Sequence, residues 1–262
     1  MRRSSRSLAI LGAQIACVAA FVGIWQLIVI SNPLFKTLIA PPVKSFLNIP
    51  IFLTYSYLGH TGLAALEVTL SLALIATGIA AGLGILLGLI IGSFRYLHST
   101  LDPYIVAGFT VPKVVLLPVF WSLFGFGLLY QLMLGVIHGV FPLLVITIYA
   151  VKAIDETKIS VARSMGASTR QVYLKVILPS AFQTIIGGLR LCFNLSFLGV
   201  IIAQLFVGQT GLGYLAGVYS TLLTPLAITN LYSLVIVTAL VGMAINVFLI
   251  LLERRFLRYK QI

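Results

Sequence analysis

The chain has 262 residues, of which 60% are hydrophobic and only 8% are charged. Soluble globular domains carry about 25% charged residues, so this composition excludes a soluble domain and predicts an integral membrane protein. The formal net charge of +12 is typical of loops anchored at an anionic membrane surface, and we do not interpret it as a nucleic-acid-binding surface.

The first apolar run extends over Leu8–Ile30 and follows Arg2, Arg3 and Arg6. A secretory signal has an apolar core of about 7–15 residues, whereas one crossing of the bilayer takes about 20. The length of this run therefore predicts a first membrane span that is not cleaved.

Apolar runs of similar length recur along the chain and predict six membrane-spanning helices, at Leu8–Ile30, Gly62–Phe94, Tyr104–Phe124, Leu128–Val151, Thr184–Val207 and Ala227–Leu252. The predicted fold is an all-α membrane protein with a single transmembrane domain over residues 1–262. The third run is interrupted by Pro112 and Pro118 and carries Lys113. A proline in a spanning helix frees backbone groups that neighbouring helices or water must satisfy.

Two features of the first half of the chain allow predictions about packing. The connection over residues 31–60 contains Phe46, Phe52, Tyr55 and Tyr57 and is expected to lie flat at the membrane interface. In the second run, the glycines recur every four residues at Gly84, Gly88 and Gly92. This spacing lets a neighbouring helix approach closely, either at a gate or dimer seam or, as we favour, in ordinary bundle packing.

The distribution of Lys and Arg predicts the orientation in the membrane, because cytoplasmic loops carry an excess of both residues. With both termini cytoplasmic, the outer segments hold only Lys36 and Lys44. The inner segments then hold 13 cations, which are Arg2, Arg3, Arg6, Arg95, Lys152, Lys158, Arg163, Arg170, Lys175, Arg254, Arg255, Arg258 and Lys260. We therefore expect a multi-pass protein of the bacterial inner membrane with both termini in the cytoplasm.

A polar connection of about 30 residues, 152–181, separates the fourth and fifth predicted spans. A short helical pattern begins at Asp155 and Glu156 and is expected to stop near Gly166. Ser168 and Gln171 then have the spacing of a capping box that begins a second helix.

The second helix of this connection carries an apolar face formed by Val172, Tyr173, Val176 and Ile177, and Pro179 is expected to end it. A solvated loop would not need such a face. Two interpretations are open at this point: an interfacial helix that lies on lipid, and a docking element for a cytosolic partner.

The same connection resembles the cytoplasmic loop of bacterial ABC importer permeases. The signature of that loop is Glu-Ala-Ala, three residues, Gly, nine residues, and then Ile-x-Leu-Pro. Ala162, Gly166, Val176, Leu178 and Pro179 match or nearly match it at the same spacing. The chain departs from the signature at Ser160 and Val161, where Glu and Ala are usual.

The resemblance extends over most of the chain. The stretches "APPVKSF", "LDPYIVAGFTVPKVVLLPVFWSLFGFG", "GQTGLGYL" and "LLERRFLRY" are similar to the branch of the family for uptake of nitrate, sulfonate, taurine and thiamine precursors. The resemblance thus implies a type I-like permease that imports a small solute, such as a sulfonate, nitrate or a thiamine-precursor-like molecule.

The resemblance also implies partners and a set of coupling residues. In this family two permeases, here two copies of the chain, face each other over a dimer of cytosolic ATPases. A periplasmic or lipid-anchored binding protein delivers the solute. The residues that would couple to the ATPase are Ala162, Gly166, Ala167, Ser168, Gln171, Val172, Val176, Leu178 and Pro179.

The chain lacks the sequence features of an enzyme. It has no Gly-x-x-x-x-Gly-Lys-Ser/Thr phosphate loop, no Ser/His/Asp set, no paired carboxylates and no cluster spaced for a metal. We therefore expect no catalysis and no cofactor in this chain, with ATP and Mg²⁺ bound by the partner ATPase.

Polar groups inside predicted spans are costly and indicate function. The candidates for the solute pathway are Asn194, Gln204, Lys113 and Arg190, three of which share one face of the fifth span. Alternatives are open for two of them: Arg190 is common in the resembled family regardless of solute, and Lys113 can snorkel to the headgroups. His138 is expected to be a packed, hydrogen-bonded histidine.

Two other classes of protein were weighed against the importer. An ion-coupled secondary transporter usually requires buried carboxylates or an internal repeat, and within the predicted spans only Glu67 offers a carboxylate. The chain also lacks the catalytic residues that an intramembrane enzyme would need. The sequence does not name the solute.

Overall fold

The computed structural model describes residues 2–32, 35, 38–56, 59–222 and 224–258. The predictions that concern Lys36, Tyr57 and Lys260 fall outside these ranges. The regular elements described are helices: α1 (Arg2–Ser31), α2 (Pro42–Leu47), α3 (Ile49–Thr54), α4 (Gly62–Ser93), α5 (Arg95–Thr110), a 3₁₀ turn (Lys113–Leu116), α6 (Leu117–Phe124), α7 (Leu128–Lys152), α8 (Glu156–Ser164), α9 (Thr169–Val172), a π-helical turn (Tyr173–Ile177), α10 (Leu178–Val207), α11 (Leu212–Thr221) and α12 (Pro225–Arg258).

Five of the described helical stretches are long and apolar enough to cross a membrane, at Gly12–Ser31, Gly62–Ser93, Leu128–Lys152, Thr169–Val207 and Pro225–Arg255. A sixth crossing is obtained if α5 and the following residues Lys113–Phe124, which are bent by 87°, form one span. The predicted all-α membrane fold is confirmed.

The third predicted span, Tyr104–Phe124, is broken at the first of the two prolines that interrupt its sequence. α5 begins at Arg95 and ends at Thr110, and Val111 has an extended backbone with φ −56° and ψ 128°. The cause is Pro112, because a proline disfavours the helical conformation of the residue that precedes it. The chain resumes a helix only after this break, so the region is a bent pair.

The described residues divide into two compact units, residues 1–63 with 215–240 and residues 64–214 with 241–262. In the first unit, a buried polar network fixes α2 and α3 to α12. Asn48 Nδ2 donates to Asn230 Oδ1 at 2.8 Å and to Ser233 Oγ at 3.1 Å, and Ser233 Oγ donates to the Ser45 carbonyl at 2.8 Å.

Residues 31–60 are predicted from the sequence to lie flat at the membrane interface, but one of their aromatic rings is packed inside the first unit. Phe52 is only 2% exposed, and its ring centroid lies 6.4 Å from that of Tyr219. Phe46 and Tyr55 remain exposed. The segment is therefore a helical connection that packs on α12. The buried amide of Asn48 contributes to this packing, because it finds its hydrogen-bond partners on α12.

The core of the second unit lies among α4, α7 and α10. Leu72, Ala76, Leu143, Phe193 and Val200 are among its buried members. The glycines of α4 face α7: a Cβ at Gly88 would lie 2.5 Å from Thr147 Cβ, and one at Gly92 would lie 3.0 Å from Val151 Cβ. The four-residue spacing thus serves close packing inside the bundle, as favoured from the sequence.

Candidate functional site

The polar connection folds as a helical hairpin, residues 155–179, which we call the polar hairpin. Its first helix, α8, begins after Asp155, whose Oδ1 accepts a hydrogen bond from the Thr157 backbone N–H at 2.8 Å. This bond, a further one from the Thr157 hydroxyl and the charge of Lys158 hold the pKa of the Asp155 carboxyl below its usual value. Asp155 thus satisfies one of the free N–H groups at the start of α8.

The tip of the polar hairpin is a helix stop that requires glycine. α8 ends at Ser164, the Gly166 N–H donates to the Arg163 carbonyl at 2.9 Å, and the Ala167 N–H donates to the Ala162 carbonyl at 3.1 Å. These two bonds form a Schellman motif, in which the residue after the helix adopts a left-handed conformation. Gly166 has φ +80°, so the predicted stop near this residue is confirmed.

The second helix of the hairpin begins with the predicted capping box. The Ser168 backbone N–H donates to Gln171 Oε1 at 2.8 Å, and the Gln171 N–H donates to Ser168 Oγ at 3.3 Å. Both helices of the hairpin are therefore capped by bonds within the hairpin, and its tip has a defined backbone shape.

The prediction that Pro179 ends this helix is wrong. The helix continues from Thr169 to Val207 without a break. A π-helical turn, Tyr173–Ile177, precedes Pro179, and the Leu178 N–H donates to the Tyr173 carbonyl five residues back. The wider π-helical turn relieves the clash between the proline ring and the carbonyl group of the preceding turn. Pro179 then lies in the first turn of α10, where a helix needs no backbone N–H donor.

The two sides of the hairpin differ in exposure. Val172 is buried, and Ile177 packs on the cluster formed by Val151, Ala181 and Ile185. This apolar face attaches the hairpin to the ends of α7 and α10. On the other side, Met165 is 83% exposed, and Val161 and Leu174 are about half exposed.

The coupling residues predicted from the resemblance lie along this one hairpin. Gly166 and Ala167 form the tip, Ser168 and Gln171 the capping box, and Val172, Val176, Leu178 and Pro179 the helix that leads into α10, while Ala162 lies on α8. Sequence reasoning missed Met165, whose position beside the helix-stop glycine was the available signal for an exposed apolar tip.

Two of the predicted pathway residues pair with α12. Arg190 Nη2 lies 2.7 Å from Glu253 Oε2. Asn194 and Asn246 exchange hydrogen bonds in both directions, at 3.2 Å and 2.7 Å. Asn246 and Glu253 were not singled out from the sequence, although a seven-residue spacing on one helix, two turns, places both on the same face.

The pathway role of Gln204 stays a prediction, and its side chain is fully buried. Gln204 Oε1 accepts hydrogen bonds from Thr69 Oγ1 at 2.8 Å and from the Gly213 N–H at 3.2 Å. Thr69 Oγ1 also accepts from the Leu212 N–H at 2.8 Å. Gln204 thus holds the start of α11 against α4.

Lys113 lies at the bend that follows α5. Its Nζ donates to the Phe109 carbonyl at 2.9 Å and lies 5.7 Å and 5.6 Å from the ring centroids of Phe109 and Phe141. The Lys113 ammonium group is thus held at the bend by a carbonyl oxygen and two aromatic faces. His138 is buried, with Nδ1 2.8 Å from the Leu134 carbonyl oxygen, so the expectation of a packed histidine is confirmed.

Residues 84–258 match the family described as binding-protein-dependent transport system inner membrane component. The chain is 29% identical over 247 residues to a putative aliphatic sulfonates transport permease protein of Bacillus subtilis, covering 92% of this chain and 85% of the relative. It is 26% identical over 206 residues to the nitrate import permease protein of Synechococcus elongatus, covering 76% and 73% of the two chains.

The fold is also similar to that of a solved transporter chain. A chain of the MetNI methionine ABC transporter, solved in inward-facing conformations, superposes with a TM-score of 0.66 at 17% identity, covering 74% of this chain and 94% of that one. In this family ATP hydrolysis is carried out by a separate chain, and the ion-coupled secondary transporter weighed from the sequence is thereby set aside. The chain belongs to the family of binding-protein-dependent transport system inner membrane components, the permease subunits of ABC importers.

Proposed function

We propose that the polar hairpin is the part of this permease that docks on the cytosolic ATPase. The observation that carries the proposal is the combination of a fixed tip and an exposed apolar side chain. The tip is held by the Schellman motif at Gly166 and the capping box at Ser168, and Met165 projects from it with 83% of its surface exposed. A preorganised apolar anchor is what a protein interface requires.

The hairpin is also built to transmit motion. The second helix runs from Thr169 to Val207 as one helical stretch of 39 residues, because the π-helical turn accommodates Pro179. A displacement of the tip by the ATPase therefore moves α10, whose residues Arg190 and Asn194 contact α12. In this proposal the closing of the ATPase dimer biases the bundle between two arrangements.

The assembly that we propose has two copies of this chain, two ATPases and a substrate-binding protein on the outer face. The excess of Lys and Arg in alternate connections supports a hairpin and both termini in the cytoplasm. The names of the two curated relatives, for aliphatic sulfonates and for nitrate, support a small oxyanion as the solute, and a thiamine-precursor-like molecule is the second candidate.

The charges of the predicted pathway residues bear on the solute. Arg190 is paired with Glu253 and contributes little net charge to an anion. Lys113 contacts a carbonyl oxygen and two aromatic rings. None of these three contacts is with a carboxylate. We therefore propose Lys113, with Asn194, as the polar groups that an anion meets.

The docking proposal is tested with Met165→Asp. The substitution changes an exposed side chain and leaves both caps in place, but it puts a carboxylate into the apolar contact. We expect the Kd for the ATPase to rise about tenfold or more, with ATP-dependent uptake into proteoliposomes lost in parallel. The control is Leu47→Asp, at a side chain that is 75% exposed on α2. Equal ATPase binding by the two variants would refute the proposal.

A further inference from the structure

A cavity of about 830 Å³ lies beside the polar hairpin, where α5 begins and α7 ends. The predicted coupling and pathway residues do not line it, although Glu156, Ile159 and Ile177 of the polar hairpin do. Its polar lining comes from Arg95, His98, Ser99, Asp102, Lys152 and Glu156. The cavity thus joins the first turns of α5 to the two ends of the connection between α7 and α8.

The cavity presents charges of both signs. Lys152 Nζ lies 3.5 Å from His98 Nε2, which lies 3.4 Å from Asp102 Oδ1. Arg95 adds a second fixed cation and Glu156 a second carboxylate. A ligand that is only anionic would meet two carboxylates, whereas a ligand with one negative and one positive group is complementary to the whole lining.

The surroundings place this cavity at the level of a membrane surface. Phe94, Tyr96 and Tyr104 are exposed on or beside α5, at 62%, 86% and 73%, and exposed aromatic rings of this kind collect at the interface between membrane and water. The remaining wall is partly apolar, with Pro103, Val151, Ile154 and Ile177. Basic pockets between helices at the cytoplasmic side bind the phosphate groups of lipids, and Arg95 and Lys152 supply the basic groups here.

We propose that this cavity binds the zwitterionic headgroup of a membrane phospholipid, a phosphate ester that also carries a primary ammonium group. The phosphate accepts hydrogen bonds from Arg95 and Lys152, and the ammonium group donates to Asp102 and Glu156. The placement at the inner membrane surface rests on the proposed function, because it follows from a cytosolic polar hairpin. A bound headgroup then bridges α5 and the root of the hairpin.

The test uses the full chain purified without its ATPase, with lipid retention measured by native mass spectrometry. Phosphatidylethanolamine, phosphatidylcholine and phosphatidylglycerol are added in separate arms. We expect preferential retention of phosphatidylethanolamine, because choline has no N–H to donate and phosphoglycerol has no positive charge. The double variant Arg95→Gln with Lys152→Gln is expected to raise the Kd for phosphatidylethanolamine about tenfold or more.

Two further variants make the outcome specific. Lys158→Gln removes a cation from the same hairpin but outside the cavity lining, and is expected to leave lipid retention unchanged. Asp102→Asn keeps both cations and is expected to shift the preference towards phosphatidylglycerol. The melting temperature of each variant is measured in the same detergent, so that loss of the fold is distinguished from loss of the site.

Several results would overturn the proposal. Equal retention of phosphatidylcholine would exclude recognition of the ammonium group, and unchanged retention by the double variant would exclude the cavity. Competition by free phosphoethanolamine at the same concentration as the lipid would identify a soluble ligand instead. Weaker ATPase binding by the double variant with unchanged lipid retention would assign the cavity to the ATPase. Because lipid retention is measured without the ATPase, failure of the docking proposal does not affect this readout.

Discussion

Replacement of Gly166 is the most direct test of the idea that the backbone of the polar hairpin is shaped for docking. The residue has φ +80°, and a Cβ placed on it would meet no atom within 4 Å. Any effect of an added side chain therefore comes from the backbone conformation and not from a steric collision with the rest of the protein.

The magnitude follows from this geometry. A residue other than glycine in a left-handed conformation costs about 1–2 kcal/mol. If docking requires the native tip, Gly166→Ala lowers the affinity for the ATPase by about fivefold to thirtyfold, since 1.4 kcal/mol corresponds to a factor of ten. Gly166→Val should be worse, because a β-branched residue tolerates positive φ poorly, and Gly166→Asn should be mildest, because asparagine visits this region.

The assay is titration of the ATPase into the permease in nanodiscs, together with ATP-dependent solute uptake in proteoliposomes. The matched control is Gly82→Ala, since a Cβ at this helical glycine also meets nothing within 4 Å but its φ is not in the left-handed region. The reasoning would be refuted by a Gly166→Val variant that binds the ATPase and transports like the unmodified chain.

Three other predictions concern helix packing, charge and pH. Gly88→Ala brings a Cβ to 2.5 Å from Thr147 Cβ and should destabilise the bundle by about 1–3 kcal/mol, seen as a lower melting temperature that Gly78→Ala does not reproduce. Arg190→Met should destabilise the fold by leaving Glu253 without its cation, and Arg190→Met with Glu253→Gln should recover most of that loss; equal loss in both would argue against the pair. The lowered pKa of Asp155 means that its contribution to α8 is complete above the usual carboxyl pKa and is lost as the pH falls through the lowered value. The protection factor of the Thr157 amide, which compares its exchange rate with that of an unstructured amide at the same pH, should therefore fall in acid, and Asp155→Asn should remove that pH dependence.

The helices and the hairpin caps could be predicted because their signals are local. Span length is set by about 20 apolar residues, and Ser168 with Gln171 closes a capping box within four residues. Prolines were harder to interpret. Pro112 breaks the chain into a bent pair, whereas Pro142 lies inside α7 and Pro179 follows a π-helical turn within a continuous helix. Whether a proline breaks a helix depends on whether neighbouring groups can satisfy the carbonyl oxygen that loses its N–H donor.

The side-chain partners in the bundle could not be predicted, because they join residues far apart in the chain. Arg190 finds Glu253, and Gln204 finds Thr69, across 63 and 135 positions. Hydropathy identifies a polar group inside a span but not what it faces. Gln204 was predicted as a pathway residue from its position in the span alone, and the sequence did not indicate that its amide oxygen accepts hydrogen bonds from Thr69 and Gly213.

The reciprocal amide pair between Asn194 and Asn246 has a consequence for how α10 and α12 can separate. Each amide offers a donor and an acceptor, so water can take the place of the partner on either side without leaving a net charge behind. Pulling Arg190 away from Glu253 instead separates two opposite charges that are only partly exposed. The two helices should accordingly separate first at the Asn194–Asn246 pair and rotate about the Arg190–Glu253 ion pair, which stays in contact.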